Sequence, residues 1–169
     1  MNTTLVVFST AVLAIIAGCE SQPIERTEGV SDENKAFVHR WIEEGFNGQN
    51  LAVVDELFAQ RFSVNGQTIG RDGLKGSMTR HLMGFPDLHV TIDDIIAEGD
   101  KVGVWYTAEG THRGEFAGIA ATGNHVKWSG FDLLTVEHRK ISQARFLSDF
   151  FGLMTQLGAN PQNHDGVPR

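Results

Sequence analysis

The sequence has few of the features that identify common enzyme and binding classes directly. It contains one cysteine, Cys19, so no disulfide can form within the chain and no cysteine-rich zinc site can be assembled. Its seven histidines include neither a His-x-His pair nor a His-Glu-x-x-His spacing, so the sequence predicts no metal site. It also lacks a phosphate-binding loop and the Gly-x-Ser-x-Gly elbow of serine hydrolases. No single motif therefore identifies the chemistry.

Basic residues are too dispersed to predict a nucleic-acid site. The formal net charge is -7, and acidic and basic residues are mixed along the chain. Without a basic patch there is little to neutralise phosphates, so nucleic acid is not an expected partner. A chain of 169 residues with 41% hydrophobic composition is the size of one domain with a substantial core.

The longest apolar run lies at the N-terminus. Residues 5–18 are apolar or small, and the run ends at the only cysteine, Cys19. The run is shorter than the roughly 20 residues that cross a bilayer, so it is typical of a signal peptide and not of a membrane anchor. Residues 16–19, Ile-Ala-Gly-Cys, resemble the bacterial lipobox, whose cysteine is lipidated and becomes the first mature residue. Because residues 1–4 contain no Lys or Arg, an ordinary secretory signal with an incidental cysteine is the alternative.

The lipoprotein interpretation divides the chain into four parts. Residues 1–18 are the expected signal peptide, 19–30 a flexible polar tether, 31–158 one folded domain, and 159–169 a tail. We therefore expect a protein of the bacterial cell envelope, anchored to a membrane through lipidated Cys19.

Helical spacing dominates the first half of the expected domain. Ser31 and Asp32 are expected to cap a first helix, and two further helices are expected from about Asn50 and Asp72. In the second half the hydrophobic period changes to two. Long strands are expected over residues 88–96, 102–112, 128–136 and 141–148. A short helix should follow Asp149. Helices followed by antiparallel strands predict an α+β domain, with helices packed on one face of a curved sheet.

Two polar side chains lie on apolar strand faces. Asp132 shares a face with Trp128 and Leu134, and it is either a general base whose pKa these neighbours raise or a buried acid with a polar partner. His112 shares a face with Tyr106, and it is either a partner of the base or a satisfied core histidine. Of the residues on this strand, Tyr106 is therefore the candidate for lining a pocket.

Several segments resemble the SnoaL-like polyketide cyclase (ester cyclase) family over residues 31–158. They occur in the family's order and spacing: Phe46-Asn47-Gly48 with Leu57-Phe58, Gly110-Thr111-His112-Arg113-Gly114-Glu115-Phe116, Gly118-Ile119 with Ala121-Thr122-Gly123, Lys140-Ile141, and Asp149 with Gln156-Leu157-Gly158. The resemblance implies the fold of nuclear transport factor 2, an α+β barrel of the cystatin-like type. In it a bent antiparallel sheet forms a cone, closed by N-terminal helices, around an apolar pocket. It also implies a homodimer or higher homo-oligomer formed through the sheet.

The resemblance also implies a reaction, but this chain departs from the family at both catalytic positions. Characterised members close a polyketide methyl ester by an intramolecular aldol reaction, without metal or organic cofactor. An aspartate on the last strand acts as acid and base, and a histidine on a neighbouring strand supports it. The aspartate position corresponds to Phe146, which cannot transfer a proton, and the histidine position corresponds to Asp132.

Two functions remain open. The first is a cofactor-free cyclase or isomerase that acts on a small apolar carbonyl compound, with Asp132 and His112 as catalytic residues. Its pocket would be lined by Tyr106, Trp128, Leu134 and Phe146. The second is a non-catalytic envelope lipoprotein that binds an apolar ligand or mediates assembly. Phe146 favours the second function, whereas Asp132 keeps the first open.

Two charged residues near the last strand have open roles. Asp149 lies where a strand gives way to a helix, so it either caps that helix or contributes to the site. Arg145 either pairs with a buried acid or occupies a surface position on the strand.

Overall fold

The computed structural model describes residues 25–159. The expected signal peptide, Cys19, the first part of the expected tether and nearly all of the expected tail lie outside the described residues. The first helix, α1 (Glu25–Arg40), begins before the expected start at Ser31, so residues 25–30 are helical and not an irregular tether. Polar residues are compatible with a helix as well as with a linker, so composition alone does not determine where the first helix begins.

The π-helical segment Trp41–Asn47 continues α1 without a break. Its wider turns are closed by bonds over five residues, such as the 2.7 Å bond that the Gly48 N–H donates to the Glu43 carbonyl. Residues five apart therefore lie on one side, and Trp41 and Phe46 contact each other there with ring centroids 5.6 Å apart. A π-helical turn thus presents two aromatic rings to the domain interior.

The other elements follow in chain order. They are α2 (Val53–Leu57), β1 (Phe58–Val64), β2 (Gln67–Thr68), α3 (Gly70–Gly84), β3 (His89–Glu98), β4 (Lys101–Thr111), β5 (His125–Glu137), β6 (Lys140–Ser148) and α4 (Phe150–Gln156).

The helix expected from Asn50 begins three residues later, because the Asn50 side chain accepts a bond from the Ala52 N–H and forms a turn. This helix ends at Leu57, and Phe58 begins β1. The strand expected to reach His112 ends at Thr111.

The strands form one open sheet in the order β2-β1-β6-β5-β4-β3. Neighbours are antiparallel except β1 and β6, which are parallel. Register irregularities in β3 after Ile92 and between β5 and β6 at Thr135 help the sheet to bend. The α+β class and the curved sheet closed by helices, both expected from the sequence, are confirmed.

One face of the sheet packs against the helices and forms the core. The inner face carries Val104 and Leu134, which are fully buried, and α1 and α3 cover it with Val38 and Met78. The outer face of β3 to β6 is exposed, and Trp105 there is 52% accessible. Within residues 25–159, no helix is both long and apolar enough to cross a bilayer.

Candidate functional site

A cavity of about 160 Å³ lies between the helices and the inner face of the sheet. Its lining is mostly apolar and aromatic, with a few polar side chains, and contains no Lys, Arg or Glu. The lining residues are Trp41, Ile42, Phe46, Leu74, Ser77, Met78, His81, Leu88, Val90, Tyr106, Ala108, Trp128, Asp132, Phe146 and Ser148. A concave apolar site with a few convergent polar groups is the usual form of a small-molecule pocket.

Asp132 supplies the only carboxyl group of this lining. It lies on β5, opposite Val104 on β4 and Phe146 on β6, and only 4% of it is accessible. Its Oδ1 atom has no hydrogen-bond partner in the described chain. Burial raises the pKa of the carboxyl to about 8, with the Leu147 backbone N–H opposing the shift. At neutral pH Asp132 is therefore mainly protonated and can donate a hydrogen bond.

Tyr106 enters the cavity beside Asp132 because of a glycine on the next strand. Tyr106 on β4 pairs with Gly130 on β5, and Gly130 pairs with Ser148 on β6. A Cβ at Gly130 would lie 2.3 Å from the phenol oxygen, so only glycine allows the ring to lie over this strand. Burial and then the neighbouring Asp132 raise the pKa of Tyr106, while the Ser148 hydroxyl lowers it. Tyr106 is thus a second neutral donor.

Aromatic rings form the wall next to Asp132. Phe146 stacks on Trp41 with centroids 5.6 Å apart and planes inclined by 20°. The Asn65 side chain holds Phe146 in place, because it accepts from the Phe146 N–H at 3.0 Å and donates to the Phe146 carbonyl at 3.2 Å. The buried Nε1–H of Trp41 has no acceptor among residues 25–159. Two residues of the lining, Trp41 and Asp132, thus each have a buried polar atom without a partner.

His81 brings an imidazole to the cavity from α3, and sequence reasoning missed it. Its Nδ1 donates to the Ser77 carbonyl one turn earlier, at 2.9 Å, and its ring packs on Phe116 with centroids 5.1 Å apart. Desolvation lowers the pKa of His81, and nearby Arg80 acts in the same direction. His81 follows Leu74 by seven residues, so helical spacing could have marked it as facing the interior, but spacing cannot show that this side of the helix borders a cavity.

His112 lies outside this lining. It is fully buried, and its Nδ1 accepts the Thr122 backbone N–H at 3.2 Å, which leaves the ring hydrogen on Nε2. The ring also packs on Phe85 with centroids 5.3 Å apart. Backbone bonds from His112 to Asn124 and from Gly123 to His112 close the glycine-rich loop that follows β4. These contacts indicate a structural role for His112 at the base of the loop.

The expected site residues are therefore only partly brought together. Asp132, Tyr106, Trp128 and Phe146 line one cavity. His112 does not line it, and Leu134 shares the strand face of Asp132 but is fully enclosed in the core.

The two charged residues near the last strand, Asp149 and Arg145, lie in different surroundings, and neither lines the cavity. Asp149 caps α4, because its Oδ1 accepts the Gly152 N–H at 2.8 Å. Arg145 is exposed on β6 and faces away from the cavity lining. In the chain from residue 25 to 159, no three metal-ligating side chains form a cluster.

The fold and cavity define a class of protein, and comparison with known sequences identifies the family. A bent, mainly antiparallel sheet closed by N-terminal helices around an apolar pocket is the cone fold of the nuclear transport factor 2 type. The sequence profile of the SnoaL-like polyketide cyclases matches residues 36–157. The chain therefore belongs to the SnoaL-like polyketide cyclase family.

Solved structures of similar proteins share this fold over most of their length. A candidate SnoaL-like polyketide cyclase from Jannaschia sp. CCS1 is 25% identical, with 78% of this chain and 96% of that chain covered and a TM-score of 0.70. IdmH, a candidate polyketide cyclase from Streptomyces antibioticus, is 26% identical, with 75% and 99% covered and a TM-score of 0.67. AclR, a candidate hydroxylase from Streptomyces galilaeus, is 24% identical, with 82% and 87% covered and a TM-score of 0.70. No curated protein matches the sequence.

Proposed function

We propose that this protein is a cofactor-independent cyclase or isomerase that acts on a small, uncharged carbonyl compound, with Asp132 as its acid. The observation that carries the proposal is the unpaired Oδ1 of Asp132 in an apolar cavity. A carboxylic acid kept neutral by burial can donate to a carbonyl oxygen and stabilise negative charge that develops there. Tyr106, a second neutral donor of the same lining, supports this role.

The lining also favours a particular kind of substrate. Because it contains no Lys or Arg, a carboxylate or phosphate would lose its hydration without gaining a counter-charge. The volume of about 160 Å³ is close to that of a cavity that holds benzene, so the enclosed part of a ligand is about one ring in size. An uncharged cyclic ketone fits both properties.

The test is exchange of the α-protons of cyclohexanone in D₂O, followed by proton NMR at neutral pH. Catalysed exchange measures enolisation, the first step of both aldol closure and isomerisation. We expect exchange above the buffer rate with the wild-type protein and a loss of about 10²-fold or more in Asp132→Asn. Asp72→Asn changes an exposed aspartate in the first turn of α3 and should leave exchange unchanged.

The second candidate function is binding without catalysis. It draws support from Phe146, which stands at the family's catalytic aspartate position and closes the cavity with an inert ring. Two tryptophans of the lining, Trp41 and Trp128, allow binding to be measured by fluorescence. If the ketone changes tryptophan emission but its protons exchange only at the buffer rate, the binding function replaces the catalytic one.

We also propose that the protein is a lipoprotein of the bacterial cell envelope, anchored through Cys19. The lipobox-like residues 16–19 support this proposal, which rests on the sequence alone. Cys19→Ala should move the protein from the membrane fraction to the soluble fraction. Membrane association that persists in this variant would contradict lipidation.

We propose, finally, that two copies associate through the outer face of the sheet, which we define as Ile96, Trp105, Phe131 and Leu147. Ile96, Trp105 and Leu147 are 64%, 52% and 70% accessible. Trp105, Phe131 and Leu147 lie in one row across β4, β5 and β6. Large apolar side chains grouped on an exposed sheet face favour burial against another molecule.

A further inference from the structure

The proposed reaction lacks one component at neutral pH. Enolisation requires a group that accepts a proton from carbon, and a protonated Asp132 cannot do so. Tyr106 is also protonated, because burial raises its pKa. Among the lining residues, His81 is the remaining titratable side chain.

We propose that His81 is a second catalytic residue, whose Nε2 accepts the carbon-bound proton from the helical wall while Asp132 serves the carbonyl oxygen from the sheet wall. The inference rests on the proposed function and deepens it. Its geometric basis is the bond from Nδ1 to the Ser77 carbonyl, which fixes the neutral tautomer with the lone pair on Nε2. The ring borders the cavity, and its side-chain hydrogen bond among the described residues is the one from Nδ1.

The surroundings of His81 keep the imidazole neutral and oriented. Phe116, from the loop after β4, packs on the ring, and the ring is held to its own helix by Ser77. Arg80 on α3 is the charged neighbour that acts on its pKa, and the titratable residues that line the same cavity are Asp132 on β5 and Tyr106 on β4. Burial and Arg80 both lower the pKa of His81, so the free base is present below neutral pH.

The proton-transfer step balances with these two residues. The α-carbon to hydrogen bond breaks, the proton goes to Nε2, and its electron pair forms the carbon–carbon double bond of the enol. The carbonyl oxygen takes the π electrons and the proton of Asp132. An imidazolium and a carboxylate remain. The imidazolium then gives its proton to a different carbon of a conjugated enol, while the enol O–H returns its proton to the Asp132 carboxylate and the carbonyl re-forms, which completes an isomerisation.

The test separates the base from the acid by using two probes. Nitrobenzisoxazole is a small, uncharged ring compound that opens to a coloured cyanophenolate when a base removes its carbon-bound proton, and this probe needs no acid at a carbonyl oxygen. At pH 7 we expect His81→Gln to lose tenfold or more of this elimination and Asp132→Asn to retain most of it. With cyclohexanone, both variants should lose exchange.

The pH profile provides a second distinction. With His81 as base, elimination by the wild-type protein rises with an apparent pKa below 6.5. With Asp132 as base, it rises near pH 8. His89→Gln, the same substitution at an exposed histidine on β3, is the matched control and should behave as the wild type.

Each outcome decides between the two claims. If His81→Gln keeps full elimination while Asp132→Asn loses it, His81 is not the base but the proposed acid site remains. If neither variant changes ketone exchange, the proposed function itself fails. Nitrogen-15 NMR tests the inference without substrate, because a hydrogen on Nε2 in place of Nδ1 at neutral pH would overturn the assigned tautomer.

Discussion

Ionisation of Asp132 destabilises the folded state, although the same buried carboxyl is the proposed acid. Asp132 lies between Val104 and Phe146 of the neighbouring strands, and burial raises the pKa of its carboxyl from 3.8 to about 8. The folded protein therefore binds a proton that the unfolded chain releases. A group with these properties is common at functional sites and rare elsewhere in a core.

The pKa of Asp132 predicts how stability depends on pH. Below about pH 4 both the folded and unfolded states are protonated, and above about pH 8 both are ionised. Between these values the folded state binds more protons, so the free energy of unfolding falls as pH rises, by at most ~1.4 kcal/mol per pH unit. Urea unfolding at several pH values should show this fall in the wild type and a smaller one in Asp132→Asn.

The matched control for this prediction is Asp72→Asn. Asp72 is exposed in the first turn of α3, so its replacement should leave the fall with pH in place. His81, whose pKa burial lowers, adds a rise with pH in the same range, so the test is the difference between the wild type and Asp132→Asn. An Asp132→Asn variant whose free energy of unfolding changes from pH 5 to pH 8 in the same way as that of the wild type would contradict a protonated Asp132.

At the scale of elements, the loop after β4 links His112 to His81. His112 fixes the far side of the loop through Thr122, and Phe116 in the same loop packs on both His81 and Phe85. The loop thus positions Phe116, which packs against one side of the His81 ring. His112 contributes to the site through this loop, although it does not line the cavity itself.

This role predicts that His112 is important mainly for stability. His112→Ala removes a fully buried ring and leaves the Thr122 N–H without its acceptor, so unfolding should become easier by about 2–4 kcal/mol. Urea unfolding measures the loss, and faster amide exchange at Thr122 would locate it in the loop.

The control is His125→Ala, which replaces an exposed histidine at the start of β5. Its stability should stay within about 0.5 kcal/mol of the wild type, as is usual for surface positions. Full stability of His112→Ala combined with a loss of ketone exchange would point instead to a direct catalytic role of His112.

At the scale of the whole molecule, the sequence predicts the features that depend on residues close together in the chain, such as strand faces and helix caps. The inward faces of β4 and β5 follow from period two, and the strands expected over residues 128–136 and 141–148 pair antiparallel as β5 and β6. The N-cap role, one of the two roles that the sequence allows for Asp149, is confirmed. Local periodicity carries this information because adjacent strands pair in chain order.

The remaining features depend on contacts between distant segments. The parallel pairing of β1 with β6 joins residues such as Phe58 and Ile141, which no local pattern connects. The cavity exists only where Trp41 and His81, both on helices, face the sheet. Helical spacing marks such residues as buried, but the void beside them depends on how the helices are placed over the sheet.

The proposed association through the outer face of the sheet predicts a dimer. A twofold axis along the strands, between β4 and β5, would lay β6 of one copy over β3 of the other. Leu147 in the central row would then lie near Asp94 of the partner subunit, since Asp94, Trp105 and Leu147 occupy one row of the register. Basic Arg145 on β6 and acidic Asp94 on β3 make the arrangement self-complementary.

Leu147→Asp should therefore dissociate the dimer, because it removes an exposed apolar side chain and places a carboxylate near a second one. Sedimentation velocity over a concentration series should show a dimer for the wild type and at least a tenfold weaker association for Leu147→Asp, equivalent to about 1.4 kcal/mol. Gln67→Asp, on the edge strand β2 away from this face, should sediment as the wild type. A wild-type protein that remains monomeric throughout the series would rule out association through this face, and the row of Trp105, Phe131 and Leu147 would then require a different partner.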